Sequence, residues 1–337
     1  MNSKDTLIAA RSSGDPKRIA SALVGHANAL ADGGDLDGAR ALLDEAAGSY
    51  RDRRLPVDQA RCLVFAATLS RATGDLDGAA GRAREAESIA PAATAPRVSA
   101  ATELGEIALL RQAFDEAAAC YGRALEQGQA AGLTGFSQAA LLRKRAQARA
   151  ALGQIATALP DLERAHALYL EDDQLHEARR TSVERASALE SLGRLAELMP
   201  LLDELRAQAT AADDFPVLAD IELLAAARAI SEERIDDALA ACLLARQHAL
   251  AGTVPVAYTT AAMSIAELHE ADGDRVAAYE ALAVGWATVG DLLGDDVAKA
   301  TFAPKLQALR ERWGDEAFIE ARDMYYQRRR AQGAAPS

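Results

Sequence analysis

Apolar residues recur at spacings of three and four along most of the chain, as in Ala39, Leu42, Leu43, Ala46, Ala47 and Tyr50, and nowhere alternate as a strand would. That stripe predicts amphipathic helices. Between the stripes a polar turn signal returns, first as Gly34-Asp35-Leu36-Asp37-Gly38-Ala39 and Gly74-Asp75-Leu76-Asp77-Gly78-Ala79, then as looser copies starting at Gln112, Gly153, Gly193, Glu233 and Gly273. The successive intervals are 40, 38, 41, 40, 40 and 40 residues. Self-similarity at this period marks a stacked array, in which each unit is too small to bury its own apolar face and borrows its neighbour's.

Each unit reads as two antiparallel helices, A and B, with the Gly-Asp turn between them. Gly supplies a left-handed residue to end helix A, and Asp accepts hydrogen bonds from the free amides that open helix B. The Ala after each turn has a small residue 12 positions before it: Ala27 with Ala39, Ala67 with Ala79, Gly105 with Ala117, Ala146 with Ala158, Ala226 with Ala238 and Ala266 with Ala278. The fifth unit departs, with Ala186 matched to Leu198. Small side chains at both places let A and B approach closely.

These residues resemble the tetratricopeptide family, whose pattern is matched by Leu104-Gly105, Ala117, Tyr121 and Ala124, and in other units by Ala27, Ala39, Leu43 and Ala46 or Ala146, Ala158, Leu162 and Ala165. The resemblance implies an all-α fold: a right-handed α-solenoid of seven antiparallel helix pairs over residues 16–292, plus a C-terminal capping pair over 293–330. Residues 1–15 are expected as an N-terminal segment with a short leading helix, opened into the array by Asp15-Pro16, and 331–337 as a flexible tail. The eighth pair is expected at 295–312 and 315–330, where Phe302, Leu306, Leu309, Trp313, Phe318, Tyr325 and Tyr326 would seal the last core face. The unit exceeds the family's usual length of about 34 residues, so this is a long variant whose groove cannot be copied from short-repeat relatives.

Composition fits helices packed on helices: half of the 337 residues are apolar and only 4% aromatic. A net charge of −13 argues against nucleic-acid and anionic membrane partners, which need clustered Lys and Arg. Lysine occurs only at Lys4, Lys17, Lys144, Lys299 and Lys305, and this Arg- and Ala-rich usage leads to the expectation of a GC-rich bacterial genome. Cys62, Cys120 and Cys242 lie far apart, giving neither a zinc knuckle nor a disulfide framework. No apolar run opens the chain and none approaches the ~18 residues of a membrane span. A cytoplasmic protein is expected.

No catalytic constellation, metal site or cofactor motif is apparent. His176-Glu177 and His269-Glu270 each lack the second His of a zinc helix. The acidic runs Glu171-Asp172-Asp173, Asp213-Asp214 and Asp295-Asp296 fall at inter-repeat connections and read as helix caps. The uneven feature is positive: Arg143-Lys144-Arg145 with Arg149, and Arg179-Arg180 with Arg185, on consecutive A helices. The resemblance implies a concave groove lined by A helices, and its register places Asn28, Arg61, Thr68, Arg71, Glu106, Arg143, Gln147, Arg180 and Ser187 there. Such a groove could seat an acidic segment or C-terminal carboxylate, because Arg offers paired hydrogen bonds to carboxylates. Alternatively, these arginines pair with Glu163, Glu177 and Glu184 and keep the array soluble.

The expectation is a non-enzymatic scaffold or adaptor that holds a peptide or helix of a partner protein, the partner being protein rather than nucleic acid or membrane. A peptide- or small-ligand-responsive sensor acting through a separate effector chain is the alternative reading, and an enzyme a third.

Overall fold

The computed structural model describes residues 2–333. Seventeen helices fill the described residues: α1 (Ser3–Ser13), α2 (Pro16–Asp32), α3 (Leu36–Asp52), α4 (Pro56–Ala72), α5 (Leu76–Ile89), α6 (Ala95–Leu110), α7 (Phe114–Ala130), α8 (Gly135–Ala151), α9 (Ile155–Glu171), α10 (Leu175–Ser191), α11 (Leu195–Ala211), α12 (Phe215–Ser231), α13 (Ile235–Ala251), α14 (Pro255–Ala271), α15 (Arg275–Leu293), α16 (Asp295–Trp313) and α17 (Asp315–Gly333). The architecture is an all-α solenoid. Helices α2 to α15 supply the A and B helices of seven repeats and α16 with α17 an eighth. Residues 331–333 continue α17, and 334–337 of the expected tail lie outside the described residues.

The turns follow from their chemistry. Gly34, Gly74 and Gly273 take φ of 85°, 84° and 85°, and the next residue caps the following helix. Asp35 accepts from the Gly38 amide at 2.9 Å, Asp75 from Gly78 at 3.0 Å and Asp274 from Ala277 at 3.0 Å. Gln112 and Glu233, which stand in the glycine position of two looser copies, adopt the same left-handed backbone, both at φ 57°.

Connections from B to the next A also turn on a left-handed residue, which a glycine announces at Gly132 but not in most of the others. Arg54, Ala93, Asp173, Asp213 and Thr253 are left-handed there, with φ between 50° and 58°. After Arg54, Asp173, Asp213 and Thr253 the next amide returns to a carbonyl near the end of the preceding helix, as Gln174 N to Tyr169 O at 2.8 Å and Val254 N to Ala249 O at 2.8 Å. Helices therefore begin every 20 residues from Gly135 to Asp315, half the interval of the glycine signal.

The chain divides into two compact units, the division falling between Arg194 and Leu195. It lies in the turn of the fifth repeat, where Leu198 replaces the small residue found elsewhere. In the first unit successive helices pack in order from α1 to α10, and α4 also meets α6, so A helices touch A helices. In the second, α12 meets α14 and α15 meets α17. The small residues sit inside as their spacing implied: Ala27, Ala39, Ala67, Ala79 and Ala117 have no exposed surface. At Gly105 even a methyl group would come within 2.6 Å of the Tyr121 ring.

Tyr279, Ala321 and Tyr325 form the terminal core with Trp313 and Phe318 against them, and Phe302 is fully buried. Of the expected sealing residues, Tyr326 instead stands exposed. Helix α15 is long and apolar enough to cross a membrane by length and composition, although Arg275, Glu280 and Asp291 interrupt any apolar run. It packs against α14, α16 and α17, and Tyr279, Leu282, Gly285 and Val289 are buried. The thiols of Cys62, Cys120 and Cys242 are free and buried, and burial pushes Cys62 up to about 11.

Candidate protein-interaction surface

The A helices of the first unit carry the candidate residues, and adjacent A helices are joined by ion pairs. Arg71 on α4 donates to Glu103 on α6 (Nε to Oε1, 2.6 Å), and Thr68 donates to the other oxygen of that carboxylate at 3.2 Å. Glu103 is buried, so its charge depends on these two donors. The pairing with Glu103 is the largest of the influences that raise the Arg71 pKa, and it outweighs desolvation. Glu106, also on α6, accepts from Tyr121 at 2.8 Å and from Lys144 on α8. Desolvation, followed by that bond to Glu106, holds the Tyr121 hydroxyl well above its usual range.

Arg143 on α8 lies between two carboxylates of α10, donating to Glu177 at 2.7 Å and to Glu184 at 2.6 Å. Burial works against its charge, but the bonds and field of Glu184 prevail and raise its pKa. Arg180 reaches Glu177 only at 3.4 Å and stays exposed. Behind them, Arg145 forms a two-bonded pair with Asp161 of α9, at 2.8 and 2.6 Å, and Arg149 adds a third bond at 2.8 Å. Two of the three carboxylates expected as partners, Glu177 and Glu184, are engaged, and Asp161 takes the role expected of Glu163.

The candidate residues therefore separate into two kinds. Thr68, Arg71, Glu106 and Arg143 are tied into contacts between helices. Asn28, Arg61, Gln147, Arg180 and Ser187 are exposed, with Arg61 bound only to its own-helix neighbour Asp58 at 3.3 Å. Sequence reasoning missed Glu103 and Asp161, the buried carboxylates that organise the arginines. Their signal was available: an acid on a helix face otherwise apolar.

Carrying the 40-residue register into the second unit brings Leu223 and Met263 to the position of Arg143, and Ala227 to that of Gln147. Leu223 and Met263 are half-buried, and Val256, at the start of α14, is 79% exposed. The Arg143 position is thus charged and hydrogen-bonded in one unit and apolar at Leu223 and Met263 in the other, while Glu267 keeps the Gln147 position of α14 polar.

The acidic runs sit at helix ends. Asp172 accepts from the Phe136 amide at the start of α8, and Asp295 and Asp296 occupy the first turn of α16. Ser3 bonds His26 at 3.0 Å and the ring of His248 stacks on Phe215. Among the described residues, no three His, Cys, Asp or Glu side chains converge to hold a metal ion.

No family model matches the chain. No curated protein matches it in sequence. Solved structures do match in fold. A tetratricopeptide repeat protein from Parabacteroides merdae is 14% identical, covers 84% of this chain and 97% of its own, and gives a TM-score of 0.59. The apo form of RapI is 11% identical over 85% of this chain and 99% of its own, with a TM-score of 0.58. Aspartyl phosphate phosphatase F from Bacillus subtilis is 13% identical over 82% of this chain and 72% of its own, with a TM-score of 0.55. This chain has the tetratricopeptide-like helical-repeat fold.

Proposed function

We propose that the protein is a non-enzymatic interaction scaffold that holds a peptide or helix of a partner protein along the exposed face of its A helices. The observation carrying this reading is the set of A-helix residues left open after the internal pairs are made: Gln147, Arg180 and Ser187 in the first unit, and Val256 with half-buried Leu223 and Met263 in the second. Each unit offers a face of its own, with hydrogen bonds and an exposed arginine in the first and apolar contact in the second, and helical grooves take amphipathic segments through contacts of these kinds. Arg143, held by Glu177 and Glu184, then serves as framework, and Arg180, exposed and held to Glu177 only at 3.4 Å, meets an acidic segment.

The likeness to aspartyl phosphate phosphatase F concerns fold, and fold alone assigns no reaction to this chain. The test is affinity capture from the native host with wild type, Arg180→Glu and Val256→Asp, each checked by circular dichroism. Loss of the same captured protein in folded variants supports the reading. Capture unchanged in both would sink it.

A ligand-responsive module acting through a separate effector chain is distinguished by the same material. Compaction in small-angle scattering on adding a captured peptide favours that role over a passive scaffold.

A further inference from the structure

Helix α13 is built inside out. Its buried residues are Ala238, Ala241, Cys242, Ala245 and Ala249, all small, while Ile235, Leu243, Leu244 and Leu250 are 40–50% exposed. Leu239 is half-buried against the core. Leucines on a helix face are ordinarily covered, yet among the described residues none buries these.

The exposed stripe has an internal symmetry. Asp236, Ala240, Leu243, Gln247 and Leu250 follow one another at spacings of three and four, and Leu243 is the middle residue of the 17-residue helix. Asp236 sits at the N-terminal end, and Arg246 lies beside the stripe toward the C-terminal end. Neither makes an ion pair with another described residue. Placed antiparallel to an identical helix about a two-fold axis near Leu243, the leucines would meet across the axis. Each Asp236 would then be offset by four residues, about 6 Å along the helix axis, from the Arg246 of the other copy, within reach of an arginine side chain.

We infer that the protein self-associates through this face, as a two-fold dimer in which α13 packs antiparallel on α13 of a second copy. A surface that complements itself under a two-fold rotation is what an isologous interface requires. Removing Leu243, Leu244 and Leu250 from water drives the association, and the Asp236–Arg246 pairs fix its direction.

Equilibrium sedimentation of the full chain over a wide concentration range tests this. The expected result is a concentration-dependent rise from 35.5 kDa toward twice that mass. Leu243→Glu should hold the chain at the monomer mass with its circular dichroism unchanged. Asp236→Arg should weaken the dimer at least tenfold, and adding Arg246→Asp in the same chain should restore it, because the pair is reversed rather than broken. Should Leu243→Glu misfold, the charge-reversal pair gives the answer alone. A wild type that stays monomeric throughout overturns the inference and leaves the face to a different protein. A dimer indifferent to Leu243→Glu in a folded chain, or to the charge reversals, overturns it equally.

Discussion

Arg143 and Glu184 are joined by two hydrogen bonds from α8 to α10, Nη2 to Oε1 at 2.6 Å and Nε to Oε2 at 3.3 Å. Arg143 also binds Glu177, so one mostly buried cation serves two acids on the neighbouring A helix. Arg143→Ala should destabilise the first unit by about 1–3 kcal/mol, because it leaves two half-buried carboxylates without their main donor. Denaturant unfolding of Arg143→Ala, Glu184→Ala and the double variant measures the coupling. A coupling near zero would show the pair to be incidental.

Close approach of A and B helices depends on alanine. Ala146→Leu and Ala226→Leu should each cost about 1–3 kcal/mol by overpacking, whereas Ala150→Leu on the exposed side of α8 should change little. Equal effects at all three positions would contradict the packing assigned here. Hydrogen exchange would show whether the damage stays with the neighbouring helices, as nearest-neighbour coupling predicts.

Thr253 is β-branched and holds φ of 53°, a region that residues of its kind avoid. Thr253→Gly should stabilise the α13 to α14 turn by about 0.5–1 kcal/mol, strain relief outweighing the entropy gained by the unfolded chain. Gly273→Ala, at φ 85°, should do the reverse. Thermal unfolding of both distinguishes the outcomes, and a destabilised Thr253→Gly would refute the strain.

Glu270 accepts two hydrogen bonds from Arg312, at 2.9 and 2.6 Å, and one from Trp313 at 2.8 Å. Arg312 is the main cause of its lowered pKa, with Trp313 adding to it. A carboxylate whose folded pKa is depressed contributes stability above its ordinary range and loses it as pH falls through the folded value. The α14 to α16 contact should therefore loosen on acidification below the ordinary glutamate range. Tryptophan fluorescence of wild type and Glu270→Gln tests this: the variant should lose that part of the acid dependence, and identical profiles would reject the assignment.

Helices and repeat length were legible because glycine is the cheapest residue at a left-handed turn, and Gly34, Gly74, Gly153, Gly193 and Gly273 print the period in the sequence. Gly132 marks one B-to-A turn, but most of these turns were not legible, because Arg54, Ala93, Asp173, Asp213 and Thr253 are left-handed while naming nothing in sequence. Tertiary packing holds them there. The candidate surface was legible in register and not in availability. Spacing can place Arg143 on an A-helix face, but whether it meets a ligand or Glu184 depends on a partner 41 residues away. The outward turn of the α13 leucines was likewise hidden, since a helix rich in alanine and leucine looks equally apolar whichever way it is turned.

Because the joints on either side of a helix are alike, the chain could lose one helix without needing a new kind of connection. Excising residues 155–174, for instance, would join α8 to the helix now starting at Leu175 through a turn of the familiar type. Every later helix would then exchange roles, A for B, and the open face of the array would pass to helices whose side chains were chosen for the opposite side. Excising 40 residues preserves that sidedness. The spacing that gene duplication must respect is therefore set by which way the helices face, and the turns alone would permit half of it.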